Sequence, residues 1–187
     1  MIVRPLRVVT VLWIALWSPG GPLRASGAGE SDSENAVKAA YLCRLGSFVD
    51  WPQSVLNDEQ FTIAVMDDDG VGAELEHLLP HQKIKNRRIQ LRRVTSVREV
   101  ADAQILYVGP SHRVGLSQIV ASTTGRPVLL VTSQEAALDA GSMVNFVMVE
   151  HRVRFEISMD ASARSNLTIG SELLSVAVRV QGKAETK

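Results

Sequence analysis

Three short apolar runs, each followed by a stretch with helical periodicity, constrain the fold of this chain more than any other feature. The runs lie at residues 61–65, 105–108 and 128–131, and the helical patterns follow at 72–79, 114–121 and 134–140. Strands that are apolar throughout are typical of a parallel sheet, because the crossover helices bury both of its faces. The alternation therefore predicts an α/β fold with a mainly parallel sheet flanked by helices.

The pattern changes in the C-terminal third of the chain. Residues 143–149 and 152–157 are two strand-like runs separated only by Glu150 and His151, which fits a β-hairpin. A further strand at 88–94 alternates apolar residues with Gln and Arg and is expected at an edge of the sheet. A last helix is predicted at 172–180. We expect a single three-layer α/β domain over residues 34–181 with a C-terminal antiparallel β-hairpin, followed by a polar tail at 182–187.

The first 28 residues have the organisation of a secretory signal peptide. Arg4 and Arg7 precede an apolar run at 8–17, and small residues follow up to Ala28. That run is about half of the roughly twenty residues that a membrane-spanning helix needs. We therefore expect export to the periplasm, cleavage of this segment, and no direct membrane insertion of the mature protein.

Charge and cysteine content exclude several classes of protein. Loss of the signal removes three arginines, which leaves 17 basic residues against 20 acidic ones. A weakly acidic, mixed surface argues against a nucleic-acid partner, which usually requires a basic face. Cys43 is the only cysteine, so no intramolecular disulfide can form. A buried small side chain is the simplest interpretation of Cys43, while an intermolecular disulfide or a reactive thiol stays open.

A helix is predicted between a flexible lead-in at 29–33 and Pro52, which forbids its continuation. Ser31 and Glu34 have the spacing of a capping box. The apolar residues that recur at helical spacing, and so are expected to share one buried face, are Val37, Tyr41, Leu45 and Phe48. Trp51 follows the predicted helix, where it either fills the core or anchors a partner.

Six short motifs are distributed over nearly the whole mature chain. They are KAAYL at 38–42, FVDWP at 48–52, RPVL at 126–129, GSMVNF at 141–146, VRFEI at 153–157 and LL at 173–174. In order and spacing these motifs resemble those of the YfiR-like family of periplasmic regulators. Ser142 departs from the pattern, because the family commonly has a second glycine there.

The resemblance implies a function. The characterised branch of the YfiR-like family inhibits an inner-membrane diguanylate cyclase by binding its periplasmic sensory part, which lowers cyclic-di-GMP signalling and affects biofilm formation. By this resemblance we expect a periplasmic, non-enzymatic regulator with such a cyclase as its partner, and a homodimer is possible.

Other candidate sites in the sequence are weaker. The aspartates at 67–69 follow a predicted strand, where ligands and Mg²⁺ commonly bind, but the aspartate and lysine that a phosphoacceptor domain needs after later strands are missing. A solvated turn before a helix is the simpler interpretation. His77 and His81 have a zinc-binding spacing, but Pro80 breaks the helix that this spacing requires. With no nucleophile-elbow motif either, we expect no catalysis, no cofactor and no metal.

Five residues are candidates for contacting a partner or a ligand: Trp51, Asn145, Phe146, Arg154 and Glu156. Asn145 lies on the first strand of the predicted hairpin, and Arg154 and Glu156 share the polar side of the second. These three hairpin residues form either a cross-strand set of hydrogen bonds and ion pairs that holds the hairpin, or a recognition surface or small polar pocket.

An alternative function also stays open, a small-ligand-sensing or solute-binding module of another signalling system. A deep, preformed pocket lined by aromatic side chains would favour that alternative. A flat apolar patch that contains residues of the first helix, or Trp51, would favour binding of a protein partner.

Overall fold

The computed structural model describes residues 26–56, 59–100, 102–110 and 115–182. Most of the predicted signal peptide, and residues 183–187 of the predicted polar tail, lie outside these ranges. Within them, no helix has both the length and the apolar character needed to cross a membrane.

Ten strands and six α-helices make up the described part of the domain. The strands are β1 Val49–Asp50, β2 Gln60–Met66, β3 Lys83–Ile84, β4 Arg87–Val94, β5 Ile105–Val108, β6 Leu129–Thr132, β7 Val144–Val149, β8 Arg152–Ser158, β9 Thr168–Ile169 and β10 Arg179–Gln181. The helices are α1 Ser26–Leu45, α2 Asp69–Leu78, α3 Leu116–Thr123, α4 Ala137–Ala140, α5 Met159–Arg164 and α6 Ser171–Val176.

Eight of the strands form one sheet in the order β10-β8-β7-β6-β5-β2-β4-β3. Strands β4, β2, β5, β6 and β7 run parallel to one another. Strand β8 pairs antiparallel with β7, which confirms the predicted hairpin. The short strands β1 and β9 pair separately and antiparallel. The predicted α/β fold class is therefore confirmed.

Each face of the sheet carries its own apolar core, because successive side chains of a strand point to opposite faces. Phe61, Ile63 and Val65 of β2 face α1 and α2 in the larger core. Ala64 and Met66 of the same strand face Ile119 of α3 in the smaller one. The three layers predicted from the sequence are thus α1 and α2, the sheet, and α3 with α4.

The first helix differs from its prediction at both ends. It begins at Ser26, so residues 29–33, expected as a flexible lead-in, are helical. It ends at Leu45, and the next residue, Gly46, packs so tightly that a Cβ atom there would lie 2.9 Å from side-chain atoms of Ile84 and Phe61. Phe48 therefore lies beyond the helix and is half-exposed, as is Val37. The buried side chains of α1 are Lys38, Ala39, Leu42, Cys43 and Leu45.

The C-terminal prediction of one helix over 172–180 is wrong in its second half. Helix α6 ends at Val176, and residues 179–181 form strand β10, parallel to β8. The backbone N–H of Val178 donates to the carbonyl oxygen of Phe155 at 3.0 Å and starts this pairing. The unpaired edge of β8 offers backbone hydrogen bonds that a helix at this point cannot use.

Candidate functional site

A buried polar network lies at the base of the β7–β8 hairpin and is centred on Asn145, whose side chain is fully buried. Its Nδ2 donates to Oε1 of Glu156 at 3.0 Å and to the carbonyl oxygen of Gln134 at 2.8 Å. Its Oδ1 accepts from the Thr132 hydroxyl at 2.8 Å and from the Gln134 N–H at 3.0 Å. All four hydrogen-bonding positions of the amide are thus used, and one side chain ties β6, β7 and β8 together.

Ser142 extends this network on its buried side. Its hydroxyl lies 2.8 Å from the hydroxyl of Thr132 and donates to the carbonyl oxygen of Val144 at 2.9 Å. The side chain is completely buried. The Ser142 hydroxyl therefore has the hydrogen-bond partners that a buried polar group requires.

Glu156 lies directly opposite Asn145 in the hairpin register. Its second oxygen, Oε2, is 3.4 Å from Nη1 of Arg179 on β10, and Nη2 of the same arginine is 3.3 Å from Oδ1 of Asp139 on α4. The Glu156 side chain is only 11% exposed, and that of Arg179 is 48% exposed. Arg179 therefore covers the carboxylate and compensates its charge, without which burial would be costly.

These contacts match the structural interpretation for two of the three hairpin residues. Asn145 and Glu156 form a cross-strand hydrogen bond, and the ion pair of Glu156 is with Arg179. Arg154 takes no part in this network. Thr132, Asp139 and Arg179 were not predicted as members, because they belong to other elements and only the folded sheet brings them together.

The two aromatic candidates are buried in the core. The Phe146 ring lies between those of Tyr41 and Tyr107, with a centroid distance of 6.0 Å to each. Trp51 donates its Nε1–H to the carbonyl oxygen of Gly46 at 3.1 Å and meets Phe61 edge-on at 5.4 Å. Trp51 thus fills the core, and its neighbours are Gly46, directly after α1, and Phe61 of β2 rather than residues of the hairpin.

The tip of the hairpin and the N-terminal half of α1 form an open groove of about 460 Å³. Tyr41 of α1 and Val153 of β8 lie in it, and Val37 and Met148 line it with exposed fractions of 39% and 51%. The charged side chains that line it are Glu30 and Glu34 from α1, with His151, Arg152 and Arg154 from the hairpin. Arg154 is the candidate residue that the structure leaves at the surface.

The turn at this tip has an uncommon backbone. Glu150 and His151 both have positive φ angles, 48° and 58°, as a two-residue turn of the hairpin type with both central φ angles positive requires. Asn and Gly are the usual residues there, and neither is present. The His151 Nδ1 atom lies 3.9 Å from Oε1 of Glu30 on α1, so polar side chains of the tip and the helix also approach each other.

The aspartate turn at 67–69 is structural, as interpreted from the sequence. Asp68 caps α2, accepting from the Val71 N–H at 3.0 Å, and its other oxygen accepts from the Tyr107 hydroxyl at 2.9 Å. Burial and the Asp68 carboxylate raise the pKa of Tyr107 well above its usual range. Asp69 pairs with Arg93 at 3.1 Å.

Doubly wound sheets often bind ligands where the strand order reverses, here at the carboxyl ends of β2 and β5. In this protein the turns after β2 and β5 pack closely against each other there. A Cβ atom on Gly109 would lie 2.5 Å from the carbonyl oxygen of Asp67 and 2.7 Å from Cβ of Asp68. In the described ranges, no group of three or more His, Cys, Asp or Glu side chains is arranged to hold a metal ion.

Cys43 lies in the larger core with 6% of its surface exposed. Burial raises the pKa of its thiol to about 11. Because the thiolate is the reactive species, this environment keeps the thiol protonated and unreactive near neutral pH. The geometry therefore supports the simple interpretation of Cys43 as a core residue.

The fold and the site define a small three-layer α/β domain in which a saturated polar network supports an exposed hairpin. The sequence profile of the YfiR/HmsC-like family matches residues 35–178, and the chain belongs to this family. The family is regulatory rather than catalytic, and its members are periplasmic. No curated protein matches the chain significantly in sequence.

Two solved structures resemble the fold. The first is the ABC domain in complex with L-Trp from Streptococcus pneumonia, with a TM-score of 0.51, 13% identity and coverage of 79% of this chain. The second is a conserved domain protein from Vibrio cholerae, with a TM-score of 0.51, 7% identity and coverage of 76% of this chain. The matched region spans 60% of each of those chains. At such low identity, the likeness shows the α/β fold alone.

Proposed function

We propose that the protein is a periplasmic regulator that binds the periplasmic sensory part of an inner-membrane diguanylate cyclase and inhibits cyclic-di-GMP synthesis. Membership of a regulatory, periplasmic family supports the first part of this proposal. The observation that supports a protein partner is the groove between α1 and the hairpin tip, where Val37 and Met148 are exposed.

The shape of this groove favours a protein over a small ligand. Small-molecule sites are concave and bury most of the ligand against apolar and aromatic walls. The groove is open, one aromatic side chain, Tyr41, lines it, and its apolar residues Val37 and Met148 project into solvent. Exposed apolar groups rimmed by charges are typical of protein interaction surfaces.

The charges around the groove give a partner its orientation. The carboxylates of Glu30 and Glu34 lie on the helix side, and the guanidinium groups of Arg152 and Arg154 lie on the hairpin side. A partner with the opposite order of charges is attracted in one orientation and repelled in the reverse one. Burial of Val37 and Met148 then supplies the apolar part of the binding free energy.

Inhibition follows from a shift of population, without any reaction catalysed by the regulator. If the cyclase exchanges between active and inactive conformations, a regulator that binds the inactive one more tightly favours it. Moving a population from about 99:1 to about 1:99 takes a roughly 10⁴-fold difference in affinity. Anything that removes the regulator from the cyclase would restore synthesis. Homodimerisation stays a prediction, which light scattering on the purified protein would test.

The proposal is tested by measuring intracellular cyclic-di-GMP in the native host after deletion of the gene. We expect a rise on deletion, and a return to the original level when the gene is restored with its export signal. A form without residues 1–25 serves as the control and should not restore the level. An unchanged concentration after deletion, with the protein expressed in the parent strain, would rule out the proposed inhibition.

A further inference from the structure

The outer edge of β4 is open over most of its length. Strand β2 pairs with β4 along Arg88–Val94, whereas β3 covers only Arg87 and Arg88 on the other side. From residue 89 to residue 94, no other strand of the described chain lies beside that outer edge. An unpaired edge presents a row of free backbone donors and acceptors.

The hydrogen-bond ladder fixes which backbone groups point outward. The N–H of Arg88 donates to the carbonyl oxygen of Glu59 at 3.2 Å, toward β2. Because backbone direction alternates along a strand, the even-numbered residues of β4 bond to β2 and the odd-numbered ones point away. The backbone N–H and C=O groups of Leu91 and Arg93, which lie beyond β3, thus point away from β2, and no strand of the described part of the chain pairs with them.

This edge is basic although the mature chain is net acidic. Residues 83–98 contain seven Lys or Arg residues and no Asp or Glu. Part of the charge is compensated, since Arg93 pairs with Asp69 and Glu76, and Lys85 pairs with Asp50. The charges that remain exposed, with no salt bridge to a described carboxylate, are those of Lys83, Arg88 and Arg98.

One face of β4 also lacks a covering helix. The connection from β4 to β5 contains only a short 3₁₀ turn, Val97–Val100. On this face Gln90 and Arg92 line an open polar groove, and the Arg92 guanidinium donates only to the carbonyl oxygen of Glu99, at 3.3 Å. Glu59 and Asp102 line the same groove without a salt bridge to Arg92. An added strand therefore has room for its side chains.

We propose that the outer edge of β4, residues 89–94, binds an extended acidic segment of a partner protein by β-strand addition. The free donors and acceptors supply the backbone pairing that this recognition mode uses. The exposed basic side chains select the occupant, because they repel a second copy of the same edge and attract carboxylates. The open part of β4 is about 20 Å long, enough for a segment of about six residues.

This inference is independent of the proposed function. The groove at the hairpin tip involves β7, β8 and α1, and β2, β5 and β6 separate those two strands from β4 in the sheet. A cyclase could bind at the groove with the β4 edge unoccupied, and the reverse also holds. Failure of one proposal therefore leaves the other unaffected.

The test uses the purified mature protein and a fluorescein-labelled peptide of eight residues that alternates Glu and Thr. We expect saturable binding by fluorescence anisotropy, and none for the matched peptide that alternates Lys and Thr. The double variant Lys83→Glu with Arg88→Glu should abolish binding while circular dichroism and thermal unfolding stay unchanged.

The decisive pair of variants is Leu91→Pro and Leu91→Ala. Proline at residue 91 removes an N–H that points outward and breaks no hydrogen bond to β2. Edge strands tolerate proline at such positions. Alanine keeps the N–H and removes the same apolar contacts. Strand addition predicts that the proline variant binds the acidic peptide about tenfold more weakly than the alanine variant.

Two results would overturn the inference. Equal affinity of both Leu91 variants would show adsorption by charge alone, with no backbone pairing. Binding of phosphatidylglycerol vesicles without any binding of the acidic peptide would identify the basic edge as a membrane contact instead. Both Leu91 variants are first compared by their unfolding midpoints in urea, so that loss of fold is recognised.

Discussion

The base and the tip of one hairpin differ in how completely their polar groups are satisfied. At the base, Asn145 and Glu156 are buried and each makes two or more polar contacts. At the tip, Met148 and Arg154 are exposed on the same two strands. Groups that are already saturated hold structure, whereas exposed apolar and charged groups are available to a partner. Asn145 and Glu156, two residues of the family motifs, thus belong to the base of the hairpin, which holds structure.

The position of α1 produces this difference. Its Tyr41 ring packs edge-on against Phe155 at 5.4 Å and also contacts Phe146. One turn toward the N-terminus, Lys38 is buried and pairs with Glu34 at 2.5 Å. Toward its N-terminus, the helix and the hairpin tip border the open groove, in which Val37 and Met148 are exposed. The same helix therefore completes the core and forms one wall of the groove.

The largest expected effect comes from removing the centre of the base. Asn145→Ala leaves the Gln134 backbone groups and the Glu156 carboxylate without their buried partner. We expect the free energy of unfolding in urea to fall by about 3 kcal/mol or more. Val147→Ala, on the same strand nearer the tip, is the control and should cost less. A loss below about 1 kcal/mol for Asn145→Ala would show that the network does not hold the hairpin.

A second prediction separates the charge of Glu156 from its shape. Glu156→Ala removes the acceptor of Asn145 and the partner of Arg179, and we expect a loss of about 2 kcal/mol. Glu156→Gln keeps an acceptor oxygen and should cost about half as much. If Glu156 belonged to a recognition surface, as one sequence-based interpretation has it, Glu156→Ala would affect cyclase repression more than stability; the observed burial predicts the opposite order. Unchanged stability with lost repression would restore the sequence-based assignment.

The tip should show the reverse behaviour. Arg154→Glu changes an exposed side chain, and surface changes of this kind usually alter stability by about 0.5 kcal/mol or less. We expect an unaltered unfolding curve together with weaker repression of cyclic-di-GMP synthesis. Arg126→Glu, which lies outside the hairpin, is the matched charge reversal and should repress normally. Equal repression by both variants would remove Arg154 from the interface.

The smallest expected effect concerns Cys43, which belongs to neither end of the hairpin. Burial raises the pKa of its thiol from 9.0 to about 11. When folding raises the pKa of a group, the resulting stabilisation is fully present at a pH below the pKa of the unfolded state. It is lost as the pH rises through the pKa of the folded state. Unfolding free energy should therefore fall between about pH 9 and 11, and less so in Cys43→Ala. Rapid thiol labelling of the folded protein at pH 7.5 would contradict this account.

The sequence predicted the central sheet well, because its strands are apolar runs whose burial needs no knowledge of distant residues. Residues 105–108 were predicted as a strand, and β5 has the same bounds. Strand β10 could not be predicted, since its formation depends on the free edge of β8 rather than on its own residues. The exposure of Phe48 was likewise unpredictable, because α1 ends at Leu45, and that of Val37 because only the folded structure shows an open groove beside it.

The candidate site was predicted in part. The pattern of residues 145–156 identified the hairpin and placed Asn145 and Glu156 in one proposed cross-strand set, whose pairing follows from the register. It did not show that Arg179 covers Glu156, which depends on a strand 23 residues further along the chain. Exposure at Met148 was also missed, because its place in the alternation is that of a core residue, and only the folded structure shows the open groove in which it lies.

The regulator is proposed to act through its hairpin tip. The most direct test measures the intracellular concentration of cyclic-di-GMP in the deletion strain carrying different forms of the gene. The wild-type protein should restore the low level of the parent strain. The double variant Val37→Glu with Met148→Glu, present in equal amount in the periplasm and folded, should leave the level as high as in the deletion strain. Full repression by that variant would contradict the account.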